Sequence, residues 1–152
     1  MRRYQTAGFI PISNPPARVT KPAAVVNIAK GDALHDDGSG YATNATVAFA
    51  ATFLGIAAAP CNNSAGSAGD LNVEIYPIDP LTRYIVPVEA NAVLSQTAVG
   101  IIVDLESVNT IDINDTSIAA GPGFFIDDID ISAEAIAANT YGYAIGHFTY
   151  VS

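Results

Sequence analysis

Hydrophobic and polar positions alternate with a period of two through much of this chain. Leu71, Val73, Ile75 and Pro77 interleave with Asn72, Glu74 and Tyr76, the pattern of a strand with one wetted face. Val108 to Asn114 alternates in the same way and points Ile111 and Ile113 inward. From Phe124 to Ile131 one line reads Phe124, Ile126, Asp128, Asp130 and the other Phe125, Asp127, Ile129, Ile131. The apolar residues change lines part-way, so the register must shift near Asp127, as a bulge would shift it.

Other apolar runs are continuous. Phe53 to Ala59 ends at Pro60, which cannot donate to a sheet ladder, and reads as a buried strand. Ala98 to Leu105 reads as a strand buried on both faces. Further strands are expected over 24–28, 33–35, 83–88 and 141–150, with Pro87 near an edge or a strand end. Residues 45–54 are expected mostly extended, and helix is confined to a turn within 90–96 and a short segment over 132–139 capped by Ser132.

Turn residues divide these segments at short intervals. Asp36-Asp37-Gly38-Ser39-Gly40 predicts a hairpin, Asn62 to Asp70 a loop between two β-rich halves, and Ala119 to Gly123 a second glycine-rich loop. Short strands with frequent turns predict an all-β fold, a compact small barrel or sandwich of jelly-roll or clip-like form. A recurring apolar-Gly-apolar pattern at Gly55, Gly100 and Gly146 marks close backbone approach rather than an internal repeat. Residues 1–23, interrupted by Pro11, Pro15, Pro16 and Pro22, predict an extended basic arm, and residues 24–152 a single β-rich domain.

Composition narrows the partners. The chain has 152 residues, half of them hydrophobic, enough to bury a core without cross-links. Its one cysteine, Cys61, has no second cysteine to pair with and reads as a spare thiol in a turn. No apolar run reaches the length of a membrane helix, and prolines interrupt the stretch after Met1-Arg2-Arg3, so synthesis in a cytoplasm without export or membrane insertion is expected. The first thirty residues hold five basic side chains and no acid; the rest holds Arg83 against fifteen acids, giving a head of +5, a body of −14 and a net charge of −9. A body that acidic argues against nucleic acid as partner, because phosphate binding needs a cationic face. The basic head is suited to an acidic protein surface.

Catalytic patterns are weak. His35 sits beside Asp36 and Asp37 in a turn and His147 in an aromatic strand, with no Gly-x-Ser-x-Gly elbow near either. Asp112, Asp115, Asp127, Asp128 and Asp130 do not follow the calcium-loop spacing and read as a solvated acidic face. A glycosidase would want aromatic sugar subsites, and the chain has no tryptophan. No phosphate-binding glycine loop precedes a helix. The expectation is a protein that is not an enzyme and has no catalytic residue, metal or cofactor.

One stretch carries a family resemblance. Lys30-Gly31-Asp32-Ala33-Leu34, the reversal at Asp36 to Gly40, and Phe53-Leu54-Gly55-Ile56-Ala57 resemble the opening of the small decoration, or cement, proteins of tailed-bacteriophage heads. The likeness continues loosely through 99–105 and 123–126. It implies a β-rich virion protein, often trimeric, on the capsid exterior, whose partner is the major capsid protein and which bridges neighbouring capsid subunits. It supplies no site residue. The charge asymmetry and the apolar side chains of the arm instead nominate Arg2, Arg3, Tyr4, Phe9 and Ile10 for partner binding. The competing expectation is a virion-surface adhesin or receptor-binding head that contacts a host glycan or protein.

Overall fold

In the computed structural model, residues 8–45, 52–89, 94–116 and 121–151 are described, and within them the alternation resolves into antiparallel sheets. One sheet has five strands in the order β2 (Arg18–Thr20), β8 (Val73–Pro77), β6 (Phe53–Ala57), β4 (Ala33–Asp36) and β5 (Ala42–Asn44). The other has six: β1 (Ile10–Pro11), β9 (Arg83–Pro87), β13 (Tyr143–Val151), β12 (Gly121–Asp130), β10 (Ile102–Ser107) and β11 (Thr110–Asp112). A two-stranded ribbon pairs β3 (Val26–Ile28) with β7 (Cys61–Asn63), and the helix α1 spans Ala133–Ala138.

Strand alternation stacks these elements in layers. Ala33 and Ile56 point from the five-stranded sheet into a core shared with Tyr84, Val86, Val103, Phe124 and Phe148 of the six-stranded sheet, which makes the fold an all-β sandwich. Their neighbours Leu34 and Ala57 face the opposite way, onto Val26, Ile28 and Cys61 of the ribbon. On the far side of the six-stranded sheet, Ile85, Tyr143 and Ile145 are covered by Ala135 and Ala138 of α1. Ser132 starts that helix as its sequence suggested: the Oγ accepts the Ala135 N–H at 3.3 Å.

Both sheets curl until their ends meet. In the smaller one, Pro22 bridges Ala42 in parallel, so the chain leaving β2 returns to β5. In the larger one, Val88 bridges Ile111, returning β9 to β11. Each single bridge shortens the bare ladder edge of its sheet. Closure also demands sharp local coiling, which bulges and glycines supply. The expected register shift falls between Ile126 and Asp128, leaving Asp127 as the extra residue. Gly55 and Gly146 are the close approaches their pattern implied: a Cβ on either would collide with the carbonyl oxygen of Tyr76 or Phe125. Gly100 differs, having open space and a φ of 93° in a turn.

Several boundaries depart from the sequence expectations. The residues of the expected arm from 8 to 23 belong to the body: Phe9 N–H donates to Gly31 O at 2.9 Å, and β1 and β2 pair with β9 and β8. Residues 1–7 lie outside the described residues. The start of the expected Asn62–Asp70 loop is strand β7, because the buried Asn63 amide donates to Ala23 O and Ser67 O and so satisfies itself inside. From β2 onward, the division between the two sheets' strands falls at the Asp79 to Thr82 turn instead. Cys61 is not in a turn but buried in β7, and burial pushes its thiol pKa up. The strand expected from Ala98 begins only at Ile102, after the Gly100 turn.

Candidate functional site

The Lys30-Gly31-Asp32 turn builds the seat on which the N-terminal segment rests. Asp32 is 4% exposed, and its carboxylate accepts the Ala29 N–H at 2.9 Å, closing the turn. Desolvation raises its pKa, and the Ala29 hydrogen bond opposes that rise. Gly31 has a φ of 90°, and a Cβ there would stand 3.0 Å from the Gly8 Cα. A bare backbone at both glycines lets the two segments touch. Gly8 N–H donates to Asn109 O at 2.9 Å, which pins the segment to the six-stranded side as well.

Of the nominated partner-binding residues, Arg2, Arg3 and Tyr4 lie outside the described residues. Phe9 is 1% exposed and sits with its ring 5.5 Å from Phe148, 5.7 Å from Phe124 and 6.2 Å from Tyr84. The covering surface that its apolar ring required is the core of its own chain. Ile10 is half-buried against Ile85, Tyr143 and Ile145. The structure therefore packs Phe9 and Ile10 on opposite faces of the six-stranded sheet and does not bring them together.

Beside this segment runs a groove of about 400 Å³, lined by residues 9–14 with Lys30, Gly31, Ala57 and Tyr76. Its lining mixes apolar side chains such as Ile12 and Tyr76 with Ser13, Asn14 and the cation of Lys30. It was not legible from the chain alone, because its walls come from segments separated by up to sixty-odd residues.

Most of the acids serve their own turns. Asp36 and Asp37 cap their own hairpin by accepting backbone N–H groups at residues 38 to 41. Asp112 accepts from Asn114 N–H, Asp128 from Ile129 N–H and Asp130 from Ser132 N–H. Glu106 is pushed up in pKa by desolvation, then by its hydrogen bond to Asp112 and the charges of Asp112, Glu89 and Asp115. Among the described residues no group of three or more histidine, cysteine or acidic side chains could hold a metal ion.

Asp127 behaves differently because it is the bulged residue. His147 Nδ1 donates to its Oδ2 at 2.8 Å, and Arg83 Nε lies 3.6 Å from the same oxygen. The register sets His147 opposite both Arg83 and Phe125, and the Phe125 and His147 rings are 5.2 Å apart. A single row across β9, β13 and β12 thus presents a cation, an imidazole and an aromatic ring around one carboxylate. The sequence located the bulge; only the strand order could place Arg83 beside it. His35 is apart from this row, in β4.

No protein-family model and no curated protein matches this chain.

Proposed function

We propose that the chain is a structural virion protein that binds the outer surface of a phage capsid, bridges neighbouring copies of the major capsid protein and works as a homotrimer. The observation that carries this reading is the seating of Gly8 and Phe9 by the Lys30-Gly31-Asp32 turn, the same turn on which the family resemblance rests. That seat ties the basic head to one fixed point on an acidic body. Arg2 can reach no farther than about 20 Å from Gly8, at roughly 3.4 Å per residue. The reading needs no bond-making: binding to assembled shell stabilises it by mass action, and a trimer multiplies weak contacts.

A chain lacking residues 1–7 tests it, because Phe9 and its partners are retained. Its attachment to purified capsids should fall at least tenfold, and attachment of the full chain should weaken with salt, since the head would meet acid across solvent. Full, salt-independent attachment of the shortened chain would sink the reading.

The Arg83, Asp127, His147 and Phe125 row favours a second reading, an adhesin for a host glycan, since an aromatic face beside hydrogen-bonding groups suits a sugar. Glycan-array binding lost in Phe125→Ala would favour it over the first.

A further inference from the structure

Of the exposed large hydrophobic side chains among the described residues, Val19, Val25, Leu71 and Ile131 are dispersed over other elements and three share one neighbourhood. Leu81 is 88% exposed, Tyr150 66% and Ile12 57%. The register gathers these three at one end of the six-stranded sheet. Ile12 N–H donates to Arg83 O at 2.9 Å, two residues beyond Leu81. Pairing of Arg83 with His147 in antiparallel order carries the end of β13, with Tyr150, alongside the turn that holds Leu81.

Leu81 is held out on a stiff turn. Asp79 Oδ1 accepts the Leu81 N–H at 2.9 Å and its Oδ2 accepts the Thr82 hydroxyl at 3.1 Å, while Pro80 fixes the step between them. Such a knob loses little conformational entropy on docking. The groove beside residues 9–14 lies next to it, sharing Ile12 as a wall, and Leu81 does not fill it. At about 400 Å³ the groove has room for a short loop rather than one methyl group.

We propose that the groove receives the Asp79-Pro80-Leu81 turn of a second copy of this chain. The charges match: the knob carries Asp79 beside its apolar tip, and the groove carries Lys30, which makes no ion pair among the described residues, beside the apolar side chains of Ile12 and Tyr76. Knob and groove are different patches, so the contact is heterologous and copies close into a ring, as a trimer requires. Repulsion between two acidic bodies opposes the contact, which makes the Lys30 pairing and the apolar area necessary. The inference rests on the self-association part of the function proposed above and not on capsid binding, whose readout is separate.

The test uses the full chain. Light scattering after size exclusion should give a multimer, and Leu81→Asp, at a solvent-exposed position, should shift it to monomer with its thermal midpoint unchanged. Leu81→Cys and Ser13→Cys chains, each silent alone, should form a disulfide-linked heterodimer when mixed and oxidised, because the native thiol of Cys61 is buried. A monomeric parent chain, a multimer indifferent to Leu81→Asp, or no heterodimer would each overturn the proposal. Monomeric Leu81→Asp that still binds capsids would leave the capsid reading standing; a multimer that fails to bind them would remove only that reading.

Discussion

The two sheets meet the same demand, curling until their ends touch, around different fillings. Inside the five-stranded sheet the buried residues are aliphatic, with no buried ring: Ala23, Val26, Ile28, Leu34, Ala42, Ala57, Val73 and Ile75, beside Cys61. Between the sheets the filling is aromatic, with Phe9, Phe53, Tyr84, Phe124 and Phe148 packed ring against ring. A tightly closed sheet leaves a narrow interior that branched and small side chains fill, whereas the wider space between sheets needs rings to reach close packing. Each sheet nevertheless relies on one strand-interior glycine, Gly55 or Gly146, where a neighbouring carbonyl comes too near for any side chain.

That parallel breaks first at the glycines. Gly55→Ala and Gly146→Ala should each cost upward of about 4 kcal/mol or prevent folding, since the obstruction is backbone and cannot swing aside. Equilibrium denaturation decides it, and a mild loss at either site would mean that coiling has another origin. Phe148→Ala should cost about 3–5 kcal/mol and Ile75→Ala about 2–5 kcal/mol, ranges set by the cavity each leaves. Hydrogen exchange separates them. Phe148 touches Phe53 at 5.1 Å, so its loss should loosen amides in both sheets, while Ile75 should loosen the five-stranded sheet alone.

Titration gives the smallest contrast. Asp32 and Glu106 both have pKa values raised in the folded protein, so the folded state holds these protons more tightly than the unfolded chain does. Their contribution is therefore greatest below the ordinary carboxylate range and is lost as pH rises through the raised values. Stability should increase on mild acidification from neutral pH. Asp32→Asn should flatten that rise, because its carboxyl is buried, and Glu106→Gln should change it little, because that side chain is exposed and screened. Equal effects in thermal melts across pH would show that the five-stranded side has no special share.

Local chemistry was legible where it acts over a few residues. The Asp36 to Gly40 reversal, the Ser132 cap, the inward Ile111 and the bulge at Asp127 follow from turn propensity, capping and side-chain period, all short-range properties. Asn63 and Phe9 were less legible, because a polar residue can be buried and an apolar one near a terminus can be internal once distant partners exist.

The chain by itself determined the β-rich class, the positions of its main turns and the charge contrast between head and body, since alternation, glycine and proline geometry and formal charge need no knowledge of neighbours. Only the tertiary structure decided that Phe9 belongs to the core, that Arg83 meets Asp127, and that Ile12, Leu81 and Tyr150 share one end of a sheet. Those facts depend on strand order and register, which arise from contacts between residues far apart in sequence.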